Sequence, residues 1–393
     1  MRSDPRALSR QLQTWAEIDL DAIADNARIL KEHIGPQTEL MAVVKANAYG
    51  HGMQPVVRTA LASGATWVGV NRVLEGVELR AVGVIAPILV LGRSLPTDAL
   101  DIVLRSVIPS VDTVELAQAL SLAAASAGVT ELPVHIKVDT GMSRFGLMPD
   151  EVLPFARAVS KLPGLQLQGL WTHFASADDV DQAYTRRQLT VFNQVWQQLE
   201  DAGLHVPIRH TANSAAALML PESRFELVRC GIALYGLPPA SSVALPAGLR
   251  PAMTLKCVVG RVRTLPAGVG VSYGCTFVTS APTRVALIAV GYGDGYPRSV
   301  SGRGAVLIHG QRAPILGRVC MDAFVVDVTH IPDVQANDEA VILGCQGDDE
   351  IDADELATWA DTISYEVISA LLPRVFRVYL RGGSPINSVT PVH

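Results

Sequence analysis

Cysteine is scarce in this 393-residue chain. The five present, Cys230, Cys257, Cys275, Cys320 and Cys345, are scattered without a Cys-x-x-Cys spacing. That excludes a disulfide framework or a thiolate zinc site and points to free thiols in a reducing cytoplasm. The nine histidines show no His-Glu-x-x-His or comparable ligand spacing, so no metal is expected. No apolar run is long enough to span a bilayer. Met1 to Gln13 carries three arginines but lacks the apolar stretch of a secretory signal. A basic surplus is missing as well: 32 Lys and Arg face 38 Asp and Glu, a net charge of −6, which argues against nucleic acid and against an anionic membrane surface as partners. Gly291-Tyr-Gly-Asp-Gly-Tyr-Pro297 lacks the Gly-x-Gly-x-x-Gly spacing and runs into Pro297 and Arg298 instead of a helix start, so it is read as a shaped loop.

What the chain does contain is a soluble composition, 49% hydrophobic and 18% charged, and a length that exceeds one hydrophobic core, so two domains are expected. After Trp15–Leu20, apolar residues Leu20, Ile23, Ala27, Leu30 and Ile34 recur at spacings of three and four. They predict a helix that Asp19 or Asp21 caps and Gly35-Pro36 ends. Eight short apolar runs follow, at Leu40–Val44, Trp67–Val70, Pro87–Leu91, Val107–Val111, Val134–Val138, Leu167–Trp171, Pro207–Arg209 and Leu227–Leu234, with helical stretches between them. This alternation predicts a (β/α)₈ TIM barrel, an α/β fold, over residues 14–240. Residues 241–249 read as a linker. Residues 250–388, with apolar alternating runs separated by turns, read as a mostly antiparallel β domain.

In such barrels the chemistry sits at the carboxyl ends of the strands, and polar residues fall there. Lys45 ends the first strand, Lys137 and Asp139 the fifth, and Thr172-His173 the sixth. His210, Asn213 and Ser214 follow the seventh, and Arg229 with Gly231 lies on the eighth. A lysine at the mouth of a buried strand is costly to keep charged, so its neutral amine can form a Schiff base with an aldehyde cofactor; the alternative is a solvated strand-end lysine. Lys137 has two readings, an internal pair with Asp139 or a carbamate that orients Arg144. Arg229, inside an apolar strand, requires an acceptor, either a carboxylate or a cofactor ring nitrogen. Ser214 and the amides near Gly231-Ile232 suit a phosphate. Tyr273, in Ser272-Tyr-Gly274, reads alone as a turn tyrosine.

Taken together these residues resemble the bacterial alanine racemase family, which depends on pyridoxal 5′-phosphate. The pieces that carry the resemblance are AVVKANAYGHG, HIKVDTGMSRFG, THFASAD, HTANSAA, VRCGIALYG, VSYG, YGDGYPR, GRVCMD and SYEV, in the family's order over nearly the whole chain. The resemblance implies a homodimeric isomerase that interconverts L- and D-alanine for peptidoglycan by a two-base mechanism, with Lys45 and Tyr273 as the opposed bases. It implies that Lys45 holds the cofactor, that Tyr49, Asn213, Ser214, Gly231, Ile232 and Tyr365 bind it, and that Arg229 faces its pyridine nitrogen. His173 would partner the catalytic tyrosine. Arg144, steadied by a carbamylated Lys137, and Met321 would hold the substrate carboxylate, and Tyr292, Arg318 and Asp322 would line the entrance passage. The chain departs from the family's Tyr-Ala-Asp-Gly-Tyr at Gly293, which predicts a looser passage and a less strict preference for alanine. A broad-specificity or serine racemase, an amino-acid decarboxylase and a non-catalytic cofactor-binding protein are the other readings.

Overall fold

A computed structural model describes residues 12–386. These divide into two compact units, one of residues 22–48 and 53–250, the other of 12–21, 49–52 and 251–386. The first strand, Thr14–Asp19 (β1), belongs to the second unit. This corrects the expectation that residue 14 opens the barrel. Trp15, Ala16 and Ile18 are buried, and the strand is paired along both edges, so its backbone is satisfied only inside that sheet.

The first unit is the barrel. Its strands are Glu39–Val43 (β2), Trp67–Val70 (β3), Ile88–Arg93 (β4), Ile108–Val111 (β5), Glu131–Lys137 (β6), Gly164–Trp171 (β7), Ile208–His210 (β8) and Leu227–Cys230 (β9). All neighbours are parallel, in the order β8-β7-β6-β5-β4-β3-β2-β9, so the ring is nearly closed. Strands such as β3, β5 and β9 are buried at every residue, as expected for a parallel sheet covered on both faces. Between β8 and β9 the seam is bridged by Arg229, whose N–H donates to Ala212 O at 3.0 Å. The last strand stops at Cys230 instead of running to residue 234, because a 3₁₀ turn, Ile232–Tyr235, follows Gly231 and ends at Gly236 with φ +77°.

The helices carry the expected periodicity. In Leu20–Ile34 the five predicted apolar positions are all buried, Asp19 Oδ1 accepts from Asp21 N–H at 2.9 Å, and Gly35 takes φ +87°. The longest helix, Ala183–Asp201, buries Leu189, Phe192, Val195 and Leu199 and leaves Trp196 half-buried under the Arg209 guanidinium.

In the second unit, Met253–Leu265 (β10), Thr283–Ile288 (β13), Ala305–Ile308 (β14), Gln311–Leu316 (β15), Phe324–Asp327 (β16) and Glu339–Gln346 (β17) form a closed antiparallel circuit, because β17 pairs with β10 as well as with β14, while Gly270–Val271 (β11) pairs with Phe277–Val278 (β12) and Asp349–Ile351 (β18) with β17. β1 and Phe376–Arg381 (β19) extend it through the unit's parallel pairing. Arg377 is 1% exposed and donates to the carbonyls of Gly50, Leu371, Leu372 and Val375, which clamps residues 49–52 to this unit. Gly50 has φ +83°, and a Cβ there would lie 2.1 Å from Ile368 O. No helix among the described residues is long and apolar enough to cross a membrane.

Candidate active site

Lys45 opens a turn of unusual hand. Ala46, Asn47 and Ala48 take φ of +52°, +54° and +55°, and Tyr49 takes +51°, so four consecutive non-glycine residues are left-handed. Each such residue costs about 1–2 kcal/mol, and the turn persists because the surroundings over-determine it. Ala46 N–H donates to Glu75 Oε1 at 2.7 Å, Ala48 N–H to Val44 O at 2.7 Å, and Met53 N–H to Asn47 Oδ1 at 2.9 Å. The other oxygen of Glu75 takes the N–H groups of Asn71 and Arg72. Burial lowers the pKa of Lys45, Arg144 lowers it further, Glu75 opposes them, and Arg229 adds to the lowering. Burial and the two arginines thus make this half-buried amine easier to deprotonate than a solvated strand-end lysine.

Lys137 is 2% exposed and lies at the end of β6. The expected pair with Asp139 is not made. Asp139 Oδ1 instead accepts from Gly141 N–H at 2.9 Å and Ser143 N–H at 3.0 Å, shaping the loop that carries the exposed Arg144. Lys137 Nζ has no hydrogen-bond partner among the described residues; it stands 3.3 Å over the Phe145 ring. Burial, then Arg144 and Arg229, push its pKa down to about 7. A neutral amine in this position can add carbon dioxide, losing its proton to water and gaining an anion that compensates both arginines.

Arg229 is 3% exposed, and its partners are neutral. Nη1 donates to His210 O at 2.7 Å and faces His210 Nδ1 at 3.1 Å. Nη2 donates to Thr172 O at 2.8 Å and Thr211 O at 2.9 Å and faces His173 Nδ1 at 3.3 Å. Of the acceptors the sequence left open, a carboxylate is not among these contacts. Burial and the guanidinium hold His173 and His210 well below the ordinary histidine range. Nearby, Ser214 Oγ accepts from Gly231 N–H at 3.0 Å and Ala233 N–H at 3.4 Å, next to Ile232, so hydroxyl and amides gather at one point. Asn213 Oδ1 is engaged in capping the helix Ser214–Met219, where it accepts from Ala216 N–H at 3.0 Å.

In the second unit Tyr273 is 71% exposed and starts a 3₁₀ turn behind Ser272, whose φ is +62°. The Ser272 hydroxyl donates to Arg318 O at 2.6 Å, and a side chain on Gly274 would lie 3.4 Å from the Arg318 guanidinium. Arg374, not singled out in the sequence as a site residue, organises the entrance candidates. It makes a two-armed contact with Asp294 at 2.7 and 3.0 Å, pairs with Asp322 at 2.8 Å, and donates to Met321 O at 3.4 Å. Tyr292 N–H donates to Cys320 O and Gly293 N–H to Met321 O in the same loop pair. A methyl on Gly293 would lie 2.7 Å from Arg374 Nη2, so the place of the missing methyl is occupied by the guanidinium instead of being left open. Tyr49 and Tyr365 stand 6.3 Å apart between ring centroids, and burial raises the Tyr49 phenol, which keeps it a hydrogen-bond donor.

The chain thus folds as a parallel barrel and a mostly antiparallel β domain, with a half-buried lysine two residues past the first barrel strand. The family "Alanine racemase, N-terminal domain" matches residues 18–239, and "Alanine racemase, C-terminal domain" matches residues 252–379. The alanine racemase of Desulfosudis oleivorans is 46% identical over 380 residues, which cover 94% of this chain and 97% of that protein. The crystal structure of alanine racemase from D-cycloserine producing Streptomyces lavendulae superposes with a TM-score of 0.90 at 41% identity, covering 94% of this chain and 97% of that one. That of alanine racemase from Bacillus anthracis with bound L-Ala-P does so with a TM-score of 0.90 at 38% identity, covering 95% and 97%. The chain belongs to the alanine racemase family, isomerases that act on an amino acid.

Proposed function

We propose that this protein interconverts L- and D-alanine with pyridoxal 5′-phosphate, as a cytoplasmic homodimer that supplies D-alanine for peptidoglycan. The observation that carries the reading is Arg229, a buried guanidinium whose hydrogen-bond contacts are all neutral, on the strand that neighbours the one Lys45 follows. A permanent cation without an anion fits a ring nitrogen that stays unprotonated. Ser214 with the amides of Gly231 and Ile232 fits a phosphate, and Tyr49 and Tyr365 are assigned to the same group. When bound, pyridoxal phosphate supplies an aldehyde for an amine and a conjugated ring that spreads the charge left on the substrate's Cα.

The chain's own residues do the rest. Lys45, with its lowered pKa, takes or returns the Cα proton on one face of alanine, and Tyr273 does so on the other. Arg229 would hold the ring nitrogen of the bound group unprotonated and so weaken its electron withdrawal, which would favour return of the proton to Cα over other outcomes. His173 accepts from Arg229 through Nδ1, so its proton sits on Nε2, the nitrogen that would partner the catalytic tyrosine. Arg144 and Met321 are assigned to the substrate carboxylate, and Tyr292, Arg318 and Asp322 to the passage by which it enters. Tyr273, Met321 and Tyr292 are 71%, 53% and 40% exposed, which suits side chains that serve a second copy.

The test is chiral analysis of alanine after incubation with the pure protein and cofactor. D-alanine should accumulate from L-alanine and the reverse; enantiomers that stay pure would end the reading and revive a non-catalytic binding role. Lys137 has its own check. Protein equilibrated with carbon-13 bicarbonate above pH 7, where its amine is mostly neutral, should give a carbamate carbonyl resonance that Lys137→Ala removes. A spectrum without that resonance at ambient carbon dioxide would leave Lys137 a bare amine.

A further inference from the structure

Behind Arg229 the barrel interior holds two histidines that the proposed chemistry does not use. His210 Nδ1 lies 3.1 Å from Arg229 Nη1, His210 Nε2 lies 2.8 Å from His135 Nδ1, and His135 Nε2 lies 3.2 Å from Gln168 Oε1. Both rings are fully buried. A guanidinium only donates, so His210 Nδ1 must accept. An imidazolium, or a neutral ring protonated on Nδ1, would set one N–H against another. The single proton of a neutral His210 therefore sits on Nε2 and points at His135 Nδ1, which must accept in turn. His135 then carries its own proton on Nε2 and donates it to Gln168 Oε1. The opposite direction is closed: it would require His210 to accept through both nitrogens and carry no proton at all.

The backbone is arranged for this line. On β6 and β7, Val134 pairs with Leu167 but His135 pairs with Gly169, so Gln168 is the extra residue of a bulge, a device rare between parallel strands that re-aims a side chain. A Cβ on Gly169 would lie 2.3 Å from His135 Nδ1; glycine there lets the ring lie against the neighbouring strand. Trp171 stacks on His210 at 5.5 Å and 7°, and its own Nε1–H is tied to Ser110 Oγ at 3.2 Å, which fixes the plane of the imidazole. At the far end Gln168 also lines a cavity of about 300 Å³ at the amino-terminal ends of the strands, beside Arg80 and Glu131.

We propose that Gln168, His135 and His210 form a one-directional hydrogen-bond chain, anchored at the base of the barrel, that positions Arg229. These three are positioning residues: none is assigned to substrate or cofactor. The chain holds Nη1 through a neutral acceptor, so the guanidinium keeps a fixed orientation and its whole charge. Burial, which pushes His135 down to about 4 and His210 well below the ordinary range, keeps both rings neutral. The kinetic part of this inference rests on the racemase reading; the direction of the chain does not.

Histidine nitrogen-15 spectra of the full-length protein test it, with and without pyridoxal phosphate. His135 and His210 should each have a bare Nδ1 and a protonated Nε2 that do not titrate between pH 6 and about 9. Gln168→Leu removes the terminal acceptor: the His135 and His210 resonances should shift or broaden, and kcat should fall about tenfold or more, as for a slightly misplaced group, with KM within about twofold. Gln168→Glu, which still accepts, should restore both spectra and rate. A proton on His210 Nδ1, or Gln168→Leu with unchanged spectra and kcat, would overturn the proposal. Correct tautomers in a protein that makes no D-alanine would refute the racemase reading alone, and D-alanine formation with a protonated His210 Nδ1 would refute the chain alone.

Discussion

Replacing Lys45 by alanine is expected to cut racemisation by roughly 10⁴-fold or more in both directions, because the proposed scheme gives one side chain the roles of both cofactor anchor and base. The substitution should leave the fold intact. Lys45 is half-buried at the first position of the left-handed turn, and Ala46, Ala48 and Met53 make the turn's backbone bonds. Alanine in its place also ends the cost of burying an amine beside Arg144 and Arg229. Two measurements are needed: D-alanine formation, and mass analysis after borohydride reduction of the cofactor-treated protein. The wild type should carry the cofactor on the peptide that contains Lys45, and the variant should carry none. A variant that retained a covalent adduct, or racemised alanine at a tenth of the wild-type rate, would remove Lys45 from the centre of the scheme.

The second large effect concerns Tyr273. Phenylalanine preserves the exposed ring and the turn behind Ser272 and deletes only the oxygen. Proton removal from L-alanine should fall by about 10²–10⁴-fold, the usual worth of a positioned acid or base. Exchange of the Cα proton of D-alanine with deuterated water, assigned to Lys45, should survive far better. Equal loss for both enantiomers would argue that one group serves both faces. Mixing Tyr273→Phe with Lys45→Ala then tests the shared site: a mixed dimer has one site with both residues intact, so activity should return where each variant alone has almost none. No recovery on mixing would place lysine and tyrosine of each site on the same chain.

Much of this was legible from residue order because a parallel barrel writes itself plainly. Runs such as Trp67–Val70 are buried on both faces, so polar residues stand out against them: Lys45 two residues past β2, Lys137 as the last residue of β6 and Arg229 one residue before the end of β9. The second unit was less legible. β15 carries little strand signal because Arg312 and Pro314 break its apolar alternation, and β19 begins in the Pro-Arg-Val-Phe-Arg stretch and is defined by its partner β1, more than 350 residues away in sequence. The Lys137–Asp139 pair suggested by spacing fails because two loop amides claim Asp139 first. The bulge at Gln168 had no signal at all, since a glutamine before a glycine in a strand reads the same in or out of register. Nor does alanine announce positive φ; only Asn47 and the glycines at 50 and 52 hinted at the turn after Lys45.

That turn has a consequence for how the protein can vary. Its four left-handed residues set a backbone filter that acts before chemistry does: Val, Ile and Thr at positions 46–48 would crowd the carbonyl that already makes alanine expensive there. Drift at positions 46–48 is thereby confined to a small alphabet of Ala, Asn, Asp and Gly, while Tyr49 takes the fourth left-handed place. Within that alphabet glycine relieves the backbone and loosens it at once, trading a fixed amine for a more stable chain. The handedness of these peptide units, held by the side chains of Glu75 and Asn47, thus limits how the segment beside Lys45 can change.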